Sequence, residues 1–320
     1  MHSSNYHIRL TGFLLFSISI ILCCSPHEKI TDSNYQSVKI PPGGVRIANN
    51  FFCDATELEN LAWLEYIYWT ARVFGSTSPE YLATLPDTLV WLKPYNCLES
   101  YSELYLRHPV YLYLPVVGIT QQQAIAYSKW RSDRVFEGLL ISLNKVELFP
   151  GQDRETYFSI EKYFNGTYTK MLPGEKVKYY PGYRLPTPTE WKQLLNYADS
   201  VDKSYFEKCN SKYCKECRSG FPKFNSDVQP CVNDSFNVLP AKSGSAGCYS
   251  KKGDPVVNLR GNVGEWSSET DVAFGGSWND QRERILLTDT FQIANPNSWT
   301  GFRNVCEWKE WKDEPILKTK

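Results

Sequence analysis

Apolar residues recur at helical spacing after three threonines, each followed three positions on by Glu or Gln: Thr56 with Glu59, Thr120 with Gln123, Thr187 with Glu190. A threonine hydroxyl that accepts from the backbone of the third residue on, while that residue's side chain turns back, satisfies two donors that a helix start leaves open. The pattern predicts three short amphipathic helices. The first buries Leu61, Leu64 and Tyr68, the second Ala124, Tyr127 and Trp130, and the third Trp191, Leu194 and Leu195 behind Pro188, whose missing N–H costs nothing at a first helical position. Apolar runs Val110–Val117 and Val305–Trp308, set off by Gly, Pro, Asn and Asp, predict short antiparallel strands. With no repeat and no internal linker, the elements give one loop-rich α+β domain over residues 45–312 and a tail at 313–320.

The first residues follow another pattern. His2, His7 and Arg9 precede an apolar run from Leu10 to Leu22, broken only by small polar residues, and then Cys23-Cys24-Ser25. The run is too short to span a bilayer and reads as a signal peptide over residues 1–23. Ile21-Leu22-Cys23-Cys24 resembles a bacterial lipobox, with Cys24 the residue to be lipidated; the alternative is an ordinary cleaved signal with incidental cysteines. Residues 24–44 are polar and aperiodic, as a flexible tether would be. This predicts a lipid-anchored protein of the bacterial cell envelope, at the outer membrane.

Charge acts here by exclusion. The 35 basic and 35 acidic residues cancel, so no overall field draws nucleic acid or an anionic membrane surface. The 10 Trp and 21 Tyr far outnumber the 2 Met, which suits a hydrogen-bonded, loop-rich core or a sugar-binding face. Beyond Cys24 stand Cys53, Cys97, Cys209, Cys214, Cys217, Cys231, Cys248 and Cys306. An even number in an exported chain predicts disulfides without fixing the pairs. Cys209, Cys214, Cys217 and Cys231 also have the spacing of a zinc site, although an oxidising compartment favours bridges.

Three blocks carry a family resemblance: Tyr183-Arg184-Leu185-Pro186-Thr187-Pro188-Thr189-Glu190-Trp191, then Gly261-Asn262-Val263-Gly264-Glu265-Trp266, then Gly275-Gly276-Ser277-Trp278. In that order they resemble the formylglycine-generating enzyme (sulfatase-modifying factor) family, and Phe51–Glu57, Leu114–Thr120 and Gly301-Phe302-Arg303 extend the likeness over the mature domain. The resemblance implies a compact fold related to C-type lectins. In the family the third block leads to two copper-binding cysteines, whose positions hold Asp280 and Ile285 here; neither is a soft ligand. Residues 133–180 and 209–231 read as insertions into the family scaffold. Pro86-Asp87-Thr88-Leu89-Val90-Trp91 and Tyr105-Leu106-Arg107-His108-Pro109 resemble the gliding-motility lipoproteins of the Bacteroidetes type IX secretion apparatus.

The resemblance also implies structural calcium. It assigns one ion to the side chains of Asn258 and Glu265 and the carbonyls of Gly261 and Val263, and a possible second to Asn225 and Asp234 with the carbonyls of Ser226 and Phe236. Mixed carboxylate, amide and carbonyl oxygens are what a hard cation takes; the other reading of Asn258 and Glu265 is loop capping by hydrogen bonds alone.

The expected function is that of a non-catalytic pseudoenzyme domain binding an envelope protein or a glycan, with Trp278 and Trp299 as stacking faces. An iron-dependent sulfoxide synthase of the wider superfamily would need a histidine cluster, and beyond the leader only His27 and His108 are present. A hydrolase using Asp280, Glu283 and Asp289 is the third reading, against which Arg282 and Arg284 suggest a solvated ion-pair cluster.

Overall fold

The computed structural model describes residues 39–92, 98–208, 256–287 and 290–312, with the side chains of 202–208 and of Leu287 left aside. Two four-stranded sheets organise the fold. The first orders β1 (Gly44–Ala48), β2 (Phe51–Asp54), β8 (Val305–Glu310) and β3 (Tyr179–Arg184) edge to edge, all antiparallel. The second orders β6 (Thr290–Gln292), β5 (Val272–Phe274), β4 (Gly264–Trp266) and β7 (Thr300–Gly301), with β4 and β7 parallel. Seven α-helices stand among the described residues: α1 (Asn60–Phe74), α2 (Pro79–Leu82), α3 (Glu99–Leu104), α4 (Gln121–Ser142), α5 (Ile160–Phe164), α6 (Pro188–Lys208) and α7 (Arg282–Leu287). The α+β class stands; the number and length of the helices exceed the three short ones expected.

Two of the three capping boxes form. The Thr120 hydroxyl accepts from Gln123 N at 3.1 Å while Gln123 Oε1 accepts from Thr120 N at 2.8 Å. Thr187 and Glu190 do the same at 3.3 and 2.9 Å, and Glu190 also takes Arg184. The box at Thr56 does not form. The chain there is extended, with Leu58 N bonded to Phe302 O and Glu59 bridged to Pro115, so α1 starts only after Glu59, which makes no side-chain cap. This later start also turns the helix: Trp63, Ile67 and Thr70 are buried, and Tyr68, expected inside, is 70% exposed. Val110–Val117 is likewise not a strand. It holds a 3-10 turn at Pro109–Tyr111, leaves Val110 and Tyr113 exposed, and buries Leu114, Val116 and Val117.

Helix α4 is 22 residues long because its apolar period continues through Phe136, Leu139 and Leu140, all buried. It thus takes in the first part of the segment read as an insertion. The rest of that segment is an ordered layer over the first sheet: Val146, Phe158, Ile160, Tyr163, Phe164, Tyr168 and Val177 pack with Phe136, Tyr183, Cys306 and Trp308 into one core. Polar side chains of α4 hold the layer's loops. Asp133 Oδ1 accepts from Ile160 N at 2.8 Å; Arg134 donates to the Phe158 carbonyl and, at 2.6 Å, to Glu137; Gln152 donates to Glu137 at 2.6 Å.

The chain is fixed to the domain from its first described residues, ahead of Val45. Trp308 Nε1 donates to Lys39 O at 3.0 Å, and Arg131 and Tyr183 donate to Pro42 O at 3.1 and 3.3 Å. Cys53 and Cys306 are free and buried. They sit on paired strands, opposite Val305 and Phe52 respectively, and belong to different cores, so they face opposite sides of the sheet and cannot bridge. The expectation of disulfides fails for these two; the other six cysteines lie outside the described residues.

Candidate functional site

The block Gly261–Trp266 is a turn feeding β4, and its backbone requires unusual residues. Asn258, Gly261 and Asn262 have φ of 59°, 72° and 60°, the left-handed region that glycine and asparagine tolerate best. Neighbouring strands and loops pin the turn: Val257 N donates to Ala55 O, Gly261 N to Gly275 O, and Trp278 N to Asn262 O. A side chain at Gly275 would place Cβ 2.5 Å from the Leu259 carbonyl, so the close approach there also needs glycine.

Beneath the turn lies a buried charge network. Glu265 and Arg303 are both 0% exposed and form a bidentate pair, Nε to Oε2 and Nη2 to Oε1, each at 2.5 Å. Arg303 also donates to Val257 O at 2.8 Å. Glu57, in the segment after β2, accepts from Asn262 Nδ2 at 2.8 Å and from Asn258 Nδ2 at 3.1 Å. Close by, Asp54 takes Arg131 at 2.6 and 2.9 Å and Asn304 N at 3.0 Å. Burial pushes the Glu265 carboxyl up, to about 7, against the pull of Arg303, and burial likewise raises Glu57. The carboxylates in turn hold Arg303 charged.

Counting charges shows what this network lacks. Asp54, Glu57 and Glu265 face Arg131 and Arg303, and Glu57 has two amides but no guanidinium of its own among the described residues. A buried carboxylate without a counter-charge is costly and is relieved by a proton or a cation. The amide oxygen of Asn258, the carbonyls of Gly261 and Val263 and the carboxylate of Glu265 are hard oxygen donors of the kind calcium uses. Both Glu265 oxygens are gripped by Arg303, so an ion held there would share that carboxylate with it. Among the described residues no three His, Cys, Asp or Glu side chains converge as a metal site; the calcium reading depends on amide and carbonyl oxygens. Asn225, Ser226, Asp234 and Phe236, read as a second site, lie outside the described residues.

The glycine block Gly275–Trp278 and the Asp280 and Ile285 positions beyond it are closed. Asp280 Oδ2 accepts from Ser277 N at 3.0 Å and from Ser277 Oγ at 2.7 Å, while Arg284 lies 3.4 Å from its other oxygen. Ile285 is 1% exposed and packs so tightly on Gly276 that a Cβ there would come within 2.6 Å of it. Trp278 is wholly buried, donates to Ser298 O at 3.2 Å, and meets Trp299 edge-on at 6.2 Å. It is a core residue, so the expected stacking face of Trp278 does not exist. Glu283 is exposed, and Asp289 lies outside the described residues. His108 accepts from Val110 N at 3.3 Å and caps the 3-10 turn.

Sequence reasoning missed Glu57, Asn262 and Arg303 as site residues. A signal existed: each is a charged or amide residue in a block that also carries aromatic or glycine residues, Phe51–Glu57, Gly261–Trp266 and Gly301–Arg303.

Comparison with known proteins gives the family. The sulfatase-modifying factor enzyme 1-like domain matches residues 27–308. No curated protein matches the chain. Among 16 solved chains that do, the crystal structure of CarF is 15% identical, covers 80% of this chain and 86% of its own, and superposes with a TM-score of 0.38. Since the family match takes in both sheets, the Gly261 turn and the Arg303 network, the chain belongs to the sulfatase-modifying factor enzyme 1-like family.

Proposed function

We propose that this domain is a non-catalytic member of its family, a structural or binding component of the bacterial cell envelope tethered by a lipid on Cys24. One observation supports the reading: Asp280 and Ile285, which the resemblance puts at the two copper-thiolate positions of formylglycine-generating enzymes, are committed to Ser277 and to the core against Gly276. A hard carboxylate and a hydrocarbon cannot take the place of a thiolate pair. Cys306 does not compensate, because it is buried in β8 and burial raises its thiol pKa far above the range in which a thiolate forms. The purified protein is therefore expected to leave a sulfatase-type cysteine peptide unchanged, with or without added copper. Aldehyde in that peptide above the protein-free control overturns the proposal.

The partner is an envelope protein, with gliding-motility assemblies as the finer reading, or a glycan. The protein reading is supported by exposed Leu89, in the Pro86–Trp91 block, and by Val110 and Tyr113 just beyond the Tyr105–Pro109 block. Leu89 lies in, and Val110 and Tyr113 next to, the spellings that resemble the gliding-motility lipoproteins. Cys24 lies outside the described residues, and the anchor rests on the leader pattern. Fatty-acid labelling is expected to mark the wild type and not a variant with Cys24→Ser and Cys23→Ser. Full label in that variant would remove the anchor from the proposal.

Structural calcium belongs to the same reading. Asn258, Gly261, Val263 and Glu265 would hold the ion, and its charge would offset the carboxylate excess around Glu57. An ion bound only by the folded state adds about 2.7 kcal/mol at a hundredfold excess over its dissociation constant.

A further inference from the structure

We infer that Glu57 is a positioning residue for that cation, holding the Gly261 turn in a ligating shape without touching the ion; this rests on the calcium reading above. A carboxylate only accepts hydrogen bonds. The N–H groups of Asn258 and Asn262 must therefore face Glu57, one on each oxygen, at 3.1 and 2.8 Å. Because an amide is planar, fixing Asn258 Nδ2 on Glu57 also fixes the direction of Asn258 Oδ1, the atom that would ligate. The same carboxylate holds Asn262, whose own carbonyl accepts from Trp278 N at 2.8 Å. The flanking carbonyls of Gly261 and Val263 are the ones assigned to the ion. Glu57 thus sets both the side-chain ligand at the start of the turn and the backbone ligands in its middle.

The clamp is rigid and remote in sequence. Glu57 is 1% exposed, separated from Asn258 by 201 positions, and carried on a segment whose next residue is tied to both Phe302 and Val116. Arg303 plays the corresponding part for Glu265, gripping both of its oxygens. Groups that orient ligands from behind typically contribute 10- to 100-fold in metal affinity. Binding a ready-made site avoids the ordering cost that a loose turn would incur.

The test is a calcium titration of the mature chain by calorimetry, together with melting in calcium and in excess chelator, for wild type and Glu57→Gln. Glutamine presents its own N–H group to one of the two asparagines, so one amide must flip or leave. The variant is expected to bind calcium roughly 10- to 100-fold more weakly and to lose most of the melting difference between calcium and chelator. A merely structural role would lower both melting temperatures together and leave the affinity alone. Wild-type affinity in Glu57→Gln overturns the inference and leaves the calcium reading standing. A wild-type chain that neither binds calcium nor responds to chelator overturns the calcium reading itself. Should Glu57→Gln not fold, Glu57→Asp serves. It keeps the charge but is one methylene too short to hold both amides, and the same loss of affinity is expected, with unchanged affinity again overturning the inference.

Discussion

Arg303→Met is expected to lower stability by about 3–5 kcal/mol, because it leaves the Glu265 carboxylate buried without its counter-ion. Arg303 and Glu265 are both fully buried, and the lost guanidinium also leaves the Val257 carbonyl without its donor. At roughly 2–3 °C per kcal/mol for a domain of this size, the melting temperature should fall by roughly 6–15 °C. The double variant Arg303→Met with Glu265→Gln removes the stranded charge as well, and should recover much of the loss. The pH dependence has a definite sign. The Glu265 carboxyl is raised from 4.5 to about 7, so between those values the folded state binds more protons than the unfolded chain and stability falls as pH rises. Without Arg303 the carboxyl rises further, so the deficit should be larger at pH 8 than at pH 5. On the proposed calcium reading, an ion at Glu265 would supply positive charge, so added calcium should reduce the deficit. Urea denaturation at both pH values measures all of this. A deficit below about 1 kcal/mol, equal at the two pH values, would show that the carboxylate is not stranded and that the charge count is wrong.

What could be read from the sequence divides by range of interaction. The capping boxes at Thr120 and Thr187 form because their partners lie three residues away, and the further bonds of Gln123 to Ala83 and Leu85 and of Glu190 to Arg184 leave the boxes intact. The same letters at Thr56 fail because Leu58 and Glu59 are drawn to Phe302 and Pro115, distant segments that a local pattern does not contain. The Gly261 turn was legible through its glycines and asparagines, whose left-handed φ values no bulkier residue takes easily. The charge network behind it was not. Glu57 reaches Asn262 across 205 positions and Arg303 reaches Glu265 across 38, and nothing in either neighbourhood names the partner. Trp278 was misread for a related reason: a tryptophan beside glycines suits a binding face and a core equally, and only the packing of Val90, Trp91, Tyr105 and Val263 around it decides for the core.

The layer formed by the second half of the inserted segment gives the other large expected effect. Phe136 is fully buried on α4, meets Tyr163 edge-on at 5.4 Å and stacks on Phe164 at 5.7 Å. Phe164 stacks in turn on Trp311 at 4.7 Å, so one run of rings joins α4, α5 and the residue after β8. Phe136→Ala is expected to cost about 3–5 kcal/mol, the usual range for emptying so large a site. The location of the damage matters more than its size. The layer's other ties are the apolar contacts of that same core, which an emptied Phe136 site loosens, and single hydrogen bonds such as Asp133 to Ile160 and Gln152 to Glu137, which contribute only about 1 kcal/mol each. Residues 143–178 should therefore open as a unit while the Gly261 turn, which shares none of these rings, stays closed. Hydrogen exchange should show protection falling over 143–178 and holding at Val263–Trp266. Protection lost equally in both regions would mean that the layer is part of one indivisible core. Protection kept in both would mean that Phe136 does not hold the layer, and that the polar ties of Asp133, Arg134 and Gln152 carry it instead.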